Sequence, residues 1–360
     1  SELIKDLGDN ILIVTMKELL DLNLLKPMLE NLTENRMSFK VFDSVKPEPK
    51  REDFSEAIDL VRKEKFNLII GFGGGSCIDF AKALSIGSTH QGDLWDYVNL
   101  SNKPPLAISQ EKLIPIVAVP TTSGTGSEVT PYSVVINNTT QQEGTIKDTS
   151  IVPKLAVVDP LLTKDLPKDW TAITGVDAFS HALESFFNKT NRTDFSDMVA
   201  IEAMKILYHN LPLVYEDGHN LDARGKVAYG AMLAGLAISN AGTTVGHALV
   251  HPTDVRVGTP HGVSVGFYLL PVLKQTLNYE WERFSKIVHI FEETKNDLQD
   301  KDLAFRGYQL IESFLGNFKI PRKLSQYNVT QETAEKIVDD AIKYMFRPIN
   351  QHAVVFDYEE

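Results

Sequence analysis

Asn67-Leu68-Ile69-Ile70 runs directly into Gly71-Phe72-Gly73-Gly74-Gly75-Ser76, and a helical pattern follows over 79–84. Glycines at a strand-to-helix turn let the backbone approach a pyrophosphate, and the first free N–H groups of the helix then meet its negative charge. The same glycines also suit an ordinary flexible turn. The loop departs from the G-x-G-x-x-G fingerprint because it follows the third expected strand and not the first.

Outward from this loop, apolar β-branched runs at 11–14, 38–42, 67–70, 114–119 and 155–158 read as strands, with amphipathic helices at 24–32 and 53–63 between them. That alternation predicts an α/β N-terminal dinucleotide-binding domain, a parallel sheet covered on both faces, over 1–158. Past Asp159-Pro160 the spacing becomes helical at 170–188, 196–210, 226–241 and 333–344, predicting an all-α C-terminal metal-binding domain over 159–360.

Composition narrows the function. A chain of 360 residues is long enough for two cores, and its net charge of -12 repels nucleic-acid phosphates and anionic lipid. No apolar run approaches the roughly 20 residues that span a bilayer, and the start lacks the basic-then-apolar pattern of a secretory signal. The expected location is cytoplasmic, with neither nucleic acid nor membrane as partner. The single cysteine, Cys77, forms no internal disulfide and reads as inert packing. No Gly-x-Ser-x-Gly elbow supports a hydrolase.

Two further features of the first half bear on a nucleotide. Asp43 ends the second strand run, where a carboxylate either binds an adenosine ribose and repels an added 2'-phosphate, favouring NAD, or simply forms a turn before Ser44. The small-residue loop Pro120-Thr121-Thr122-Ser123-Gly124-Thr125-Gly126-Ser127-Glu128 follows the fourth strand run. Together with the glycine loop it outlines a crevice at one sheet edge.

In the helical half, Asp177 and His181 are four residues apart, which places both on one helix face. Such a pair is also an ordinary electrostatic contact. His247 and His251 repeat the spacing in Gly246-His247-Ala248-Leu249-Val250-His251-Pro252, and His261 sits in the turn-like Gly258-Thr259-Pro260-His261-Gly262, able to swing towards them. Histidines among Ala, Leu and Val need a partner if buried: either a satisfied hydrogen bond or a metal. One carboxylate with several imidazoles suits Fe(II) or Zn(II), with Mn, Co or Ni allowed by ligand type.

Four stretches in order, Gly73 to Lys82 (GGGSCIDFAK), Pro120 to Thr130 (PTTSGTGSEVT), Gly175 to Glu184 (GVDAFSHALE) and His247 to Gly262 (HALVHPTDVRVGTPHG), resemble the iron-containing (group III) alcohol dehydrogenase family, whose fold is shared with dehydroquinate synthase. The resemblance implies Asp177, His181, His247 and His261 as metal ligands and His251 as a proton relay near the substrate. It implies Gly74, Gly75 and Ser76 as the pyrophosphate loop, Asp79 at its helix start, Thr121 and Thr122 in the second cofactor loop, and Asp43 at the position tied to NAD preference, with NADP also accepted by some similar proteins. A hairpin before Pro153 is implied, with Glu143 or Lys147 where some members carry a basic residue. The family's usual first strand and last helix are missing, so the chain is expected to be trimmed at both ends. A homo-oligomer is implied.

The expected activity is therefore a metal-dependent NAD(P)(H) alcohol dehydrogenase or aldehyde reductase for a short primary alcohol, diol or aldehyde. In that reading a cleft between the domains sets nicotinamide against the ion, which acts as a Lewis acid on the alcohol oxygen while hydride moves to the ring. A dehydroquinate-synthase-like lyase would need a Lys and Arg cluster for a phosphate substrate, and none lies near the ligand motifs. A glycerol-dehydrogenase-like zinc enzyme and a non-catalytic nucleotide-binding protein are the alternatives, against which stand His261 in its Gly-Thr-Pro-His-Gly setting and the intact loops.

Overall fold

A computed structural model describes residues 1–100, 103–292 and 300–354; the end of the expected second domain, 355–360, lies outside them. Two compact units divide the chain, one of Ser1–Thr122 with Ser127–Leu162 and the other of Ser123–Gly126 with Thr163–Glu360.

In the first unit the strands are β1 (Asn10–Val14), β2 (Ser38–Phe42), β3 (Leu68–Gly73), β4 (Ile116–Pro120), β5 (Tyr132–Asn137), β6 (Gln142–Lys147) and β7 (Leu155–Ala156). A parallel sheet of order β2-β1-β3-β4-β7 carries five of them, with Ile13 opposite Ile70 and Ile70 opposite Val117. The central strands β3 and β4 are buried along their whole length, as strands covered on both faces must be. Edge strand β2 alternates exposed and partly buried residues instead. Each expected strand is present, although the third extends through the glycines to Gly73 and the last shrinks to two residues.

The antiparallel pair β5–β6, which periodicity did not reveal and the resemblance did, stands outside that sheet. Helices α1 (Lys17–Asp21), α2 (Lys26–Glu34), α3 (Ser55–Glu64) and α4 (Gly75–Thr89) complete the unit. Helix α4 outruns the expected 79–84 because buried residues occupy all its faces, from Cys77 to Gly87, which erases the one-sided apolar stripe.

The second unit is helical. Its helices are α5 (Lys168–Phe187), α6 (Asp194–Glu216), α7 (Leu221–Ala241), α8 (Val245–Val257), α9 (His261–Thr276), α10 (Trp281–Glu292), α11 (Lys301–Gly316), α12 (Gln331–Tyr344) and α13 (Phe346–Gln351). Buried Phe179, Phe186, Phe187, Met204, Leu207 and Leu211 join α5 and α6 in one core. Helix α8 continues past its interior Pro252 and ends at Gly258. Among the described residues no helix is long and apolar enough to cross a membrane.

His352, just after α13, pins the end of the described chain. It is 1% exposed, with Nδ1 3.0 Å from Thr244 Oγ1 and Nε2 2.8 Å from Thr276 Oγ1. Burial pushes the imidazole down to about 4, against the opposing pull of Glu184. An unfolded histidine takes its proton near pH 6.5. Between pH 6.5 and 4 the unfolded chain therefore binds the extra proton, and stability present above 6.5 is lost as pH falls through this window. We expect metal-free protein to lose roughly 2–3 kcal/mol there through this group. The pH dependence of urea unfolding checks this: His352→Phe should show a flatter slope between pH 6.5 and 4 than the unsubstituted chain, and equal slopes would refute the assignment.

Candidate functional site

Helix α5 carries Asp177, His181 and Glu184 at i, i+4 and i+7, one stripe of a single face, and α8 repeats the pattern with His247, His251 and Asp254. Asp177 Oδ1 lies 3.6 Å from His181 Nε2, 3.7 Å from His247 Nε2 and 3.8 Å from His261 Nε2. One ligand atom from each of the four residues lies within 4.8 Å of the others, so the group can hold a metal ion.

Asp177 Oδ1 and His247 Nε2 are buried and accept or donate no hydrogen bond among the described residues. Two orphaned polar atoms aimed at one point are costly unless something between them binds both. Ligands of a tetrahedral ion bonded at about 2.1 Å sit roughly 3.4 Å apart, close to the separations seen here. Donor chemistry and spacing both fit a divalent ion.

A second layer orients the rings. His247 Nδ1 meets Glu184 Oε1 at 2.7 Å, and His261 Nδ1 meets Asp254 Oδ2 at 2.8 Å. Each carboxylate holds one ring nitrogen and leaves Nε2 turned towards Asp177. Glu184 reaches this place because Gly246 has no side chain: a methyl group there would strike Oε1. The backbone N–H of Thr244, 2.5 Å away, and its hydroxyl at 3.0 Å both donate to Glu184 Oε2.

The electrostatics are those of a buried alternating cluster. Burial alone would raise the Asp177 carboxyl, but His181, His247 and His261 hold it well below the usual range. Burial pushes His181 down to about 4 in spite of Asp177. For His247 burial is overcome by Glu184 and Asp177, which lift it to about 9, and for Glu184 burial is overcome by His247 and Thr244, which bring it down to about 2.

His261 was expected in a mobile turn. It is instead the first residue of α9, entered through Pro260 and fixed by Asp254, and its side chain is 31% exposed. The His251 ring stands beside the cluster, its centroid 6.4 Å from that of His247 and 5.6 Å from that of His261.

In the first unit Asp43 follows β2, Gly74 to Ser76 follow β3, and Thr121 and Thr122 follow β4. These are the carboxyl ends of parallel strands, where open α/β sheets bind ligands. Gly75 and Ser76 open α4, so their N–H groups lack helical partners. Asp79, expected at the helix start, lies a turn further in. Its carboxylate accepts from Ser127 Oγ at 2.5 Å and from Val134 N at 3.0 Å. Buried Lys82 donates to Ser127 Oγ, Thr130 O and Tyr132 O at 2.7–2.9 Å and so ties the end of the second loop to α4; burial pushes its amine down to about 8. Cys77 is buried and its thiol pushed up to about 12, which leaves it inert.

Sequence reasoning missed Glu184, Asp254 and Lys82. For the two carboxylates a signal existed, because each is the i+7 member of a stripe already half recognised.

The chain thus joins a parallel α/β unit to a helical unit that holds a carboxylate and imidazole cluster able to take a metal ion. Residues 1–160 match the family described as iron-containing alcohol dehydrogenase, and residues 171–356 match the Fe-containing alcohol dehydrogenase family, C-terminal. The chain is 32% identical to long-chain-alcohol dehydrogenase 1 of Geobacillus thermodenitrificans (strain NG80-2), over 94% of this chain and 85% of that one. It is 30% identical to the NAD-dependent methanol dehydrogenase of Bacillus methanolicus, over 92% and 85%. A crystal structure of 1,3-propanediol oxidoreductase matches with a TM-score of 0.92 and 31% identity, over 99% of this chain and 92% of that one. The chain belongs to the iron-containing alcohol dehydrogenase family, and it is an oxidoreductase.

Close contact of α9 with α5 sets the distance from His261 to Asp177. A methyl group at Gly262 would press on the backbone carbonyl of Ile173, which cannot turn aside as a side chain can. Gly262→Ala should cost about 1–3 kcal/mol in urea unfolding. Gly316→Ala, where a methyl group meets nothing within 4 Å, should be neutral or slightly stabilising. Equal stability of the two variants would contradict the packing described.

Proposed function

We propose that the enzyme interconverts a short primary alcohol or diol and its aldehyde with NAD(H), using Fe(II) held by Asp177, His181, His247 and His261, with Zn(II) as the other candidate ion. The observation that carries this reading is the convergence of Asp177 Oδ1 with three Nε2 atoms, of which Asp177 Oδ1 and His247 Nε2 are buried without hydrogen bonds. A bound ion supplies Lewis-acid polarisation of the alcohol or carbonyl oxygen. Glu184 and Asp254 keep two of the rings in the required tautomer, and half-buried His261 marks the more open side of the cluster. His251 takes and returns the hydroxyl proton, since an imidazole can do both.

For the dinucleotide, Gly74 and the free N–H groups of Gly75 and Ser76 receive the pyrophosphate, Thr121 and Thr122 flank it, and Asp43 accepts from the ribose. Asp79, whose oxygens are taken by Ser127 and Val134, acts from behind by holding the loops in place. Relatives named for methanol and 1,3-propanediol support the short substrate, and the one named for long-chain alcohols points the other way.

Chelation should abolish NADH oxidation with butyraldehyde and lactaldehyde, and Fe(II) should restore it. Asp177→Ala and His261→Ala should lose the ion by elemental analysis while retaining their circular dichroism, because the ligands sit on helices with a packed core of their own. Full turnover in verified metal-free protein would refute the metal reading. NADH should exceed NADPH in kcat/KM, and Asp43→Gly should narrow that gap about tenfold by removing a carboxylate that repels the 2'-phosphate. An unchanged ratio in the variant would show that Asp43 does not face the ribose.

A further inference from the structure

The hydrogen bonds that fix Glu184 continue beyond it. Thr244 donates its hydroxyl to Glu184 Oε2, and the same hydroxyl oxygen lies 3.0 Å from His352 Nδ1. On the far side His352 Nε2 lies 2.8 Å from Thr276 Oγ1 of α9. Apolar Phe187, Leu269, Val272 and Leu273 wall the same place. An ionised Glu184 only accepts, so it draws the Thr244 hydroxyl proton. The Thr244 oxygen then has only acceptor capacity to offer, which places the His352 proton on Nδ1, with Nε2 beside Thr276 Oγ1. Thr276 Oγ1 also donates to Val272 O at 2.7 Å, so the run of donors towards Glu184 starts at His352 and passes through Thr244. The other oxygen of Glu184 meets His247 Nδ1, whose ring turns Nε2 to Asp177.

We propose that His352 is a positioning residue for the ion: by holding Thr244 on Glu184 it fixes the tautomer and tilt of His247, so a residue near the end of the described chain sets the ion affinity of a site built on α5, α8 and α9. This rests on reading the Asp177 cluster as the metal centre. In a low-dielectric interior a fully satisfied chain of this kind holds its members more firmly than separate bonds would. Outer partners of a metal-bound histidine commonly change affinity by about 10- to 100-fold when removed.

The test is Co2+ titration of the full, metal-stripped chain, read as a dissociation constant and as the visible d–d spectrum. His352→Phe should bind one Co2+ about tenfold more weakly, with an altered spectrum. His352→Asn, which keeps a donor for Thr244, should recover most of the affinity and covers the case in which Phe does not fold. Because His352 acts through Thr244, Thr244→Val should absorb its effect, so that Thr244→Val with His352→Asn or Phe is no weaker than Thr244→Val alone. Wild-type affinity and spectrum in His352→Phe, or additive losses in the double variant, would overturn the proposal. If His352→Phe does not fold, an Asn variant as weak as His352→Ala would overturn it too. Absence of one-to-one Co2+ binding by the unsubstituted chain would instead overturn the metal reading, and this proposal with it.

Discussion

Asp177 carries a carboxylate into the interior of a helical unit, and the neighbouring helices are arranged around that one buried negative charge. A carboxylate with one oxygen unbonded is too costly to keep unless positive charge lies close. His247, raised to about 9, supplies it beside Oδ1, and the rings of His247 and His261 are backed by carboxylates of their own. Charge therefore alternates outward from Asp177 through His247 to Glu184, while Asp254 stands behind His261 in the same geometric place. Each helix that contributes to the cluster also presents a face to the apolar core, so the geometry is set by packing and not by loops.

How much of this the sequence disclosed follows from how local each signal is. The strands were legible because parallel strands are buried on both faces and read as short apolar runs, as β3 and β4 do. The polar pairs were legible as pairs because Asp177 with His181, and His247 with His251, are one helical turn apart. Hairpin β5–β6 escaped periodicity because β5 alternates incompletely and β6 carries Gln, Glu and Lys. Helices α10 and α11 are amphipathic and went unread, while α9, apolar over most of its middle, begins at the residue that looked like part of a turn. The turn-like reading of 258–262 holds for Gly258 to Pro260 and ends at His261, because the fixed φ of Pro260 also suits the entry to a helix.

Glu184 and Asp254 show a different limit. Both lay in plain sight at i+7, yet a glutamate on a helix face has no visible duty until another helix brings a histidine to it. Lys82 is the same problem in the α/β unit: its position in α4 gives no hint that Ser127, Thr130 and Tyr132 will converge on its amine. The helix face of such a residue can be read from its spacing, but the partner that another element brings to it cannot.

The donor set alone does not choose the ion, because one carboxylate and three imidazoles satisfy several first-row metals. Selection passes to what surrounds the donors: how firmly each ring is held, which nitrogen keeps its proton, and how much the cluster can widen. Glu184 is held by two donors from Thr244, whereas Asp254 lies within α8 and meets a ring that is 31% exposed. The His247 side of the cluster is thus braced from behind, while the His261 side faces a more open environment.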